Sequence, residues 1–379
     1  MRVCFFGTFE EDYPRNQILL KALQIAGYET VLIHHDIWRN KIHKTHIIRR
    51  VWGLILIALK LLLIYPWLII RYLCAPKHAV VLVGYPGHLD TVIIKWFAAL
   101  KRTPVLWDAF ISLYDSAIDD RKLVRTKSLT SHALFALDRL ACQSADKIIL
   151  DTDGHIRYFS SAHRIPLSKF VRIYAGAEDD LFLPSKAGSA ANDKPYFRIL
   201  FVGKFTPLHG IQTIIAAAEI LKSDRDMMFD LVGTGQLFSE IQNMVNEKKM
   251  ENVSLPGWVP YRALPDLIQN CDVCLGIFSD SPKLNRVIPN KIFQALATKK
   301  PVVTAETDAV KELLRPGKDV LTVPPQNPEA LAQLLTELKK HKKLRDQTAE
   351  SGYNTFHQHA DLLKISEELQ RTIREMVFL

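Results

Sequence analysis

The sequence predicts an α/β protein with two doubly wound domains, each built around a parallel sheet. A chain of 379 residues with 48% hydrophobic content is too long for one compact core. Short apolar runs alternate with segments of helical apolar spacing in both halves. A polar stretch at 183–196 separates the halves. We therefore expect domains at 1–182 and 197–355, a linker at 183–196, and a C-terminal helix at 356–379 that packs back towards the first domain.

Each half contains five apolar runs that predict strands. In the first half they occupy 2–6, 30–34, 79–88, 103–110 and 146–152. In the second half they occupy 197–203, 229–235, 253–259, 271–278 and 301–307. The first run ends at Gly7 and leads through a polar loop into a helical pattern, and this order recurs along the chain. Strands that alternate with helices in this way predict parallel sheets.

Charge and cysteine content narrow the classes of function. The formal net charge of +9 fits nucleic acid, an anionic membrane surface or a phosphorylated small molecule. No RNA-binding or helix-turn-helix signature accompanies the charge, so we expect no nucleic-acid partner. Five cysteines without framework spacing indicate a reducing compartment. Because the chain starts on a strand rather than a signal peptide, we expect a cytoplasmic protein.

Cys271 and Cys274 form a CxxC motif inside an apolar run. Successive side chains of a strand point to opposite faces, so we expect these two thiols to point apart. No second CxxC and no nearby histidine pair completes a metal site. We therefore expect no metal at this motif.

The stretch 47–73, IIRRVWGLILIALKLLLIYPWLIIRYL, is almost continuously apolar. It is long enough to cross a bilayer. A crossing would divide one sheet between two sides, and Lys60 and Pro66 interrupt the stretch. Trp52 and Trp67 supply aromatic rings that suit a membrane interface. We expect peripheral or monotopic attachment to the cytosolic face of a membrane, the alternatives being a pair of apolar core helices or a true span.

The second half holds a candidate phosphate site after its first predicted strand. Gly203 ends that strand and Gly210 precedes a helix. Glycine permits close approach of backbone to a ligand, and a helix N-terminus favours anions. Lys204 and His209 flank the turn and can both reach a diphosphate.

Later segments add four candidate binding residues. Gly233 lies in the turn after the second strand of this half, and Trp258 lies in the loop after the third. Loops after parallel strands line the ligand crevice. Asn290 or the proline before it starts a helix, and Lys291 lies in the first turn, which again suits a phosphate.

In their order and spacing, these segments resemble the nucleotide-sugar domain of glycosyltransferase family 4, over roughly 197–335. The family's motif of Gly-Arg followed by Lys-Gly corresponds to Gly203, Lys204, His209 and Gly210. The resemblance implies the GT-B fold, in which two Rossmann-like domains face a cleft. It also implies that Lys204, His209 and Lys291 hold the donor's diphosphate and stabilise the departing nucleotide.

Two positions depart from that family. It carries two glutamates separated by seven residues, and the second contacts the ribose hydroxyls. Here the positions hold Arg286 and Gln294. Gln294 can still form a hydrogen bond to a ribose, and Arg286 can bind phosphate. Neutral hydrogen bonds contribute about 0.5–1.5 kcal/mol against about 1.5–3 for charged ones, so donor identity and catalysis are both open at these positions.

The first half is expected to form the acceptor side. Asp108 ends a predicted strand where the family often has a histidine near the donor sugar, so it either polarises the acceptor hydroxyl or caps a loop. His88 follows another strand, with catalysis and loop packing as alternatives. Gly7 suits close ligand approach. Arg15 either meets an acceptor phosphate or is solvated. Gly176 and Glu178 are expected to line the cleft.

The resemblance implies a retaining glycosyltransferase that needs no metal, because basic residues stabilise the leaving diphosphate. Asp151 and Asp153 form a DxD pattern but lie in the acceptor half. We expect a donor of the UDP or GDP type, no further cofactor, and a lipid-linked or glycolipid acceptor in glycan biosynthesis. A non-catalytic scaffold or partner subunit and a nucleotide-sugar epimerase remain as alternatives. A phosphorylase is set aside, because no lysine environment here indicates pyridoxal phosphate.

Overall fold

Two six-stranded parallel sheets organise the chain, one in each of two units. The computed structural model describes residues 1–37, 51–185 and 196–378 and, for 51–58, the backbone alone. The first unit comprises Met1–Tyr174 with Leu362–Leu379, and the second comprises Ala175–Asp361. The units thus divide at Tyr174 and Asp361, whereas the sequence placed boundaries at 182 and 356. The predicted linker lies largely outside the described residues.

The strands are β1 (Arg2–Gly7), β2 (Glu29–His34), β3 (Val80–Val83), β4 (Val105–Asp108), β5 (Lys147–Leu150), β6 (Phe170–Arg172), β7 (Phe197–Val202), β8 (Met227–Val232), β9 (Val253–Gly257), β10 (Val273–Leu275), β11 (Val302–Ala305) and β12 (Leu321–Val323). Their orders are β2-β1-β3-β4-β5-β6 and β12-β11-β10-β7-β8-β9. Each sheet reverses its winding once, between β1 and β3 and between β7 and β10, and ligands bind at such points. The prediction of two doubly wound parallel sheets is confirmed.

The helices are α1 (Pro14–Ile25), α2 (Val51–Cys74), α3 (His88–Leu100), α4 (Leu129–Ser144), α5 (Asp153–His163), α6 (Ile211–Ile220), α7 (Phe238–Glu247), α8 (Leu264–Gln269), α9 (Asn290–Ala297), α10 (Asp308–Leu313), α11 (Pro328–Lys340), α12 (Lys342–His359) and α13 (Leu362–Phe378). Shorter helical turns occupy Asp115–Asp120, Leu167–Lys169, Pro207–His209, Tyr261–Ala263 and Pro282–Arg286. Strand and helix alternate through both units, as the apolar spacing predicts.

The first sheet is covered on both faces, because buried parallel strands are apolar on both sides. On one face, Cys4 and Phe6 of β1 share a core with α2, α3, α4 and α5. On the other face, Val3 and Phe5 share a core with α1 and α13. The final helix is therefore part of the core of the first unit.

One core of the second unit joins its sheet to α6, α7 and α11. Phe201 and Phe229 are fully buried in this core. On α6, the fully buried side chains include Ile211, Ile214 and Ile215, a spacing of three to four residues that gives a helix one apolar face. This core fixes the end of β7, where the candidate phosphate site begins.

Helix α2 covers most of the apolar stretch predicted to meet a membrane. Residues 47–50 lie outside the described residues. The helix continues through Pro66, so the interruption predicted there is wrong; a proline removes one backbone hydrogen bond and need not end a helix. Leu68 and Tyr72 are fully buried against the sheet, whereas Leu63 is 79% exposed. Across the described residues, no helix has the length and apolar character needed to cross a membrane.

The CxxC motif differs from its prediction. Cys271 precedes β10, so the alternation of strand side chains does not reach it. Its Sγ lies 3.4 Å from the Sγ of Cys274, and it also donates to the carbonyl of Ile268. The two buried thiols therefore point towards each other rather than apart.

Candidate functional site

The candidate site of the second unit lies where the winding of its sheet reverses. Gly203 directly follows β7, and Gly233 directly follows β8. The loop after β10 contacts the segment after β7, because the backbone N–H of Phe278 donates to the carbonyl of His209 over 3.1 Å. Lys291, in the first turn of α9, reaches the same place. The structure thus brings four residues predicted to bind the donor into one cluster.

Lys291 occupies an unusual environment. Its Nζ is buried and has no hydrogen-bond partner among the described residues. It lies over the face of Phe201, 3.7 Å from the ring centroid, which is a cation–π contact. Burial lowers the pKa of Lys291 well below its usual value. An ammonium buried without a carboxylate is costly by itself and favours the binding of an anion.

Two glycines make room for this arrangement. A Cβ on Gly203 would lie 2.7 Å from Nζ of Lys291. A Cβ on Gly233 would lie 1.9 Å from the carbonyl oxygen of Gly203, closer than any real contact. The turns after β7 and β8 therefore touch backbone to backbone, which leaves the space in front of them to a ligand.

Gly233→Ala should collapse this turn. Because its Cβ overlaps the Gly203 carbonyl, we expect a loss of about 2 kcal/mol or more in the free energy of unfolding and loss of nucleotide binding. Denaturant unfolding and nucleotide titration measure the two effects. The matched control is Gly317→Ala, since Gly317 also has a positive φ of 76° but no atom within 4 Å of its Cβ. Equal losses in both variants would contradict the role of close packing.

His209 and Lys204 complete the turn. Nδ1 of His209 donates a hydrogen bond to the backbone carbonyl of Lys204, which orients the ring so that Nε2 is the outward nitrogen. Lys204 is exposed and His209 is half-buried. The ring of His209 lies beside Gly203, as Nζ of Lys291 does. The predicted role of Lys204 and His209 as phosphate ligands stays a prediction.

The remaining predicted donor residues spread around this cluster. Asn290 is the first residue of α9, Arg286 ends the turn before it, and Trp258 is 57% exposed just after β9. Gln294 is buried one turn beyond Lys291, and its Nε2 lies 3.5 Å from the hydroxyl of Tyr261. The geometry leaves the roles of these residues as predictions.

Tyr261 links Gln294 to a carboxylate. Burial, and next the neighbouring Glu178, raise the pKa of the Tyr261 hydroxyl. Glu178 is only 6% exposed. A carboxylate therefore stands near the position where the family has its own glutamate, contributed by a different segment of the chain.

In the first unit, Asp108 and Arg15 form a buried ion pair. Both side chains are 0% exposed, and Nε and Nη2 of Arg15 donate to the Asp108 carboxylate over 2.9–3.1 Å. Nη1 of Arg15 donates to the carbonyl of Tyr174. Burial raises the pKa of Asp108, and Arg15 opposes that rise. Arg15 is therefore not solvated as the sequence allowed, because its charge is neutralised inside the fold.

His88 is also buried, 3.0 Å from Asp138. Burial alone would raise the pKa of Asp138, but the adjacent His88 and the hydrogen bond from Ser112 outweigh burial and lower it. Asp138 also accepts from the backbone N–H groups of Leu113 and Tyr114. This geometry fits loop packing, one of the two alternatives for His88. The catalytic roles predicted for Asp108 and His88 stay predictions. Both side chains are buried beside a charged partner, Arg15 for Asp108 and Asp138 for His88.

Gly7 packs against Asp90, a residue that the sequence did not single out. A Cβ on Gly7 would lie 3.0 Å from Oδ2 of Asp90. That oxygen accepts from the backbone N–H and the hydroxyl of Thr8, while Oδ1 accepts from the hydroxyl of Tyr65. Asp90 is the acidic residue in the first turn of α3, a signal that the sequence already contained.

Potential metal ligands lie elsewhere. Asp179, His357 and Asp361 place ligand atoms within 4.8 Å of one another, and Nδ1 of His357 is 3.1 Å from Oδ2 of Asp361. Of the DxD pattern, Asp151 contacts His155 and Asp153 pairs with Arg172. Neither group lies among the residues that surround Lys291.

Residues 196–341 match the protein family described as Glycosyl transferases group 1. An uncharacterized glycosyltransferase of Methanocaldococcus jannaschii is 24% identical over 56% of this chain and 61% of its own length. The alpha-D-kanosaminyltransferase of Streptomyces kanamyceticus is 24% identical over 42% of this chain and 40% of its own length. These alignments span less than two thirds of either relative.

The solved structures extend the likeness to the whole fold. Anabaena HepE in complex with UDP-glucose superposes with a TM-score of 0.72 at 16% identity, covering 99% of this chain and 100% of HepE. At that identity the likeness concerns the fold alone. The chain therefore has the GT-B fold, and its second unit contains the segment, residues 196–341, that matches the family described as Glycosyl transferases group 1.

Proposed function

We propose that the chain is a retaining, metal-independent glycosyltransferase that resembles family 4 and uses a nucleotide-diphosphate sugar. The observation that carries the proposal is the buried Nζ of Lys291, which has no hydrogen-bond partner among the described residues and lies against the glycine turn after β7. A diphosphate in front of that turn would receive the ammonium and the N-terminus of α9 together. The match of residues 196–341 to a glycosyltransferase domain supports the same reading.

In the proposed reaction, an acceptor hydroxyl attacks the anomeric carbon from the face that the nucleotide leaves. The new bond joins the acceptor oxygen to that carbon, and the bond from the carbon to the phosphate oxygen breaks. The hydroxyl proton passes to the departing diphosphate. Lys291, Lys204 and His209 take up the negative charge that develops on the phosphate, which is the largest single contribution such a site can make.

We propose a uridine donor. The complex of HepE with UDP-glucose supports this choice. Gln294 lies on α9 one turn after Lys291 and offers an amide for a ribose hydroxyl, while the nearby Tyr261 and Glu178 add polar groups. An amide in place of a carboxylate weakens this contact without removing it.

We propose that the acceptor is presented at a membrane, as a lipid-linked glycan or a glycolipid. The support is the exposed apolar side of α2, which includes Leu62, Leu63 and Ile70. An acceptor with a hydrocarbon anchor is most accessible to an enzyme that rests on the same surface.

Thermal unfolding with UDP, GDP, ADP, CDP and the corresponding sugars tests the donor. A ligand that binds only the folded state stabilises it, by about 2.7 kcal/mol at a concentration 100 times its Kd. We expect UDP and a UDP-sugar to raise the melting temperature and the other nucleotides to leave it unchanged. Selective stabilisation by GDP would overturn the uridine assignment.

A non-catalytic scaffold is the second candidate. The observation that favours it is the presence of Arg286 and Gln294 at the positions of the family's two glutamates. A scaffold needs no nucleotide, so it predicts an unchanged melting temperature with every nucleotide tested. Stabilisation by a nucleotide, followed by release of that nucleotide from its sugar in the presence of an acceptor, would exclude it.

A further inference from the structure

The first unit exposes an apolar face made by two helices. Large apolar side chains exposed on α2 and α3 are Leu59, Leu62, Leu63, Trp67, Ile70, Leu73, Leu89, Trp96 and Leu100. On α3, Leu89, Trp96 and Leu100, together with the half-buried Ile93, follow a spacing of three to four residues, which places them on one side of the helix. Trp96 is 76% exposed and Leu100 is 75% exposed. The face therefore extends beyond the apolar stretch visible in the sequence.

The same two helices enclose an apolar groove of about 540 Å³. Its walls are side chains of α2 from Leu61 to Ile69 and, on α3, Leu89 and Ile93. Tyr65 lies in the groove, and its hydroxyl donates to Asp90, which in turn holds Thr8 after β1. The groove thus starts in the exposed apolar face and ends beside the point where the first sheet reverses its winding.

The charged residues around the apolar face indicate which kind of surface binds to it. Between residues 59 and 102 the sequence has six lysines and arginines and one acidic residue, Asp90. Asp90 is buried, whereas Lys60, Arg71, Lys77 and Arg102 are exposed. A second copy docked by the same face would bring these cations close to their own counterparts, which is unfavourable. An anionic lipid surface offers hydrocarbon to the leucines and tryptophans, and phosphates to the cations.

We propose that α2 and α3 together dock on an anionic phospholipid bilayer, with one lipid chain lying in the groove between them. Trp96 and Leu100 enter the interface beside Leu63 and Ile70. Two helices therefore attach the first unit to the bilayer, and the end of β1 faces the headgroups. This inference deepens the proposed presentation of the acceptor at a membrane but does not depend on sugar transfer.

The test is sedimentation of the full chain with vesicles of phosphatidylcholine alone or mixed with phosphatidylglycerol. We expect the protein to bind the mixed vesicles and the double variant W96E/L100E to bind them about tenfold more weakly or worse, because binding strength follows buried apolar area. Vesicles with brominated acyl chains should quench the tryptophan emission of the wild type, and W96F should remove part of that quenching.

L363E is the matched control, since Leu363 is 53% exposed on α13, which packs on the opposite face of the first sheet. It should bind vesicles like the wild type. If W96E/L100E were unstable, I70E on α2 would test the same face. Stabilisation by UDP should persist in all these variants, which separates this proposal from nucleotide binding. Undiminished vesicle binding by W96E/L100E and I70E, or a lipid-free dimer that these substitutions dissociate, would overturn the proposal.

Discussion

Lys291→Met should stabilise the unliganded protein and at the same time abolish its stabilisation by UDP. The substitution removes a buried ammonium that has no hydrogen-bond partner among the described residues, so we expect a gain of about 1 kcal/mol in the free energy of unfolding. Turnover should fall by about 100- to 1,000-fold, as it does when one stabilising donor of a transition state is lost. Thermal unfolding with and without UDP, together with transfer rates, measures all three effects.

The lowered pKa of Lys291 also predicts how the stability of the protein and its stabilisation by UDP change with pH. The pKa of Lys291 is lowered in the folded chain, so below the ordinary lysine pKa the unfolded chain binds more protons at this residue. Its contribution to the stability of the unliganded protein therefore rises with pH from the lowered pKa up to about 10.4. UDP requires the charged form, so its stabilising effect should weaken as the pH rises through the lowered pKa of Lys291, while the phosphate stays ionised.

The control for Lys291 is Lys311→Met, because Lys311 is half-exposed and paired with Glu306 on the surface of the same unit. Its loss should leave both UDP stabilisation and its pH dependence unchanged. An unaltered UDP response in Lys291→Met would show that the phosphate lies elsewhere.

Asp108→Leu should destabilise the chain by about 3–5 kcal/mol, because it leaves the guanidinium of Arg15 buried without its partner. The double variant Arg15→Met with Asp108→Leu should recover most of that loss, since replacing both members of a buried pair by apolar residues is often neutral. Denaturant unfolding of the two single variants and the double variant measures the coupling.

The same pair of substitutions decides the role of Asp108 in catalysis. If Asp108 only supports the fold, the double variant should recover turnover along with stability. A stable double variant that remains inactive would assign Asp108 to the reaction. Destabilisation of the double variant as severe as that of Asp108→Leu would contradict the ion-pair account.

The fold could be predicted from the sequence to a large extent, because buried parallel strands leave continuous apolar runs. All ten predicted strands correspond to strands of the two sheets. The two missed strands, β6 and β12, have three residues each at the edges of their sheets. So short a run carries no periodicity of its own and pairs only because the neighbouring strand is already in place.

The candidate site, like the fold, could be predicted from the sequence only in part. Gly203, Lys204, His209 and Lys291 were found because they stand beside strand ends and helix starts, and these positions are local in sequence. The burial of Asp108 against Arg15 joins residues 93 positions apart. Such a pairing depends on the packing of the complete unit, which no local pattern contains. Phe201 beneath Lys291 was missed for that reason too, since it reads as an ordinary residue of a strand.

The place of α13 in the first unit affects how the protein is made. Ribosomes deliver residues in order, and domains generally fold as they emerge. The second unit, Ala175–Asp361, is contiguous and can fold as soon as it leaves the exit tunnel. The first unit was synthesised earlier, yet it lacks Leu369 and Ile373 from its core until α13 appears. The half that emerges first is therefore completed last, and until then the faces of α1 and β3 that α13 covers are open to chaperones.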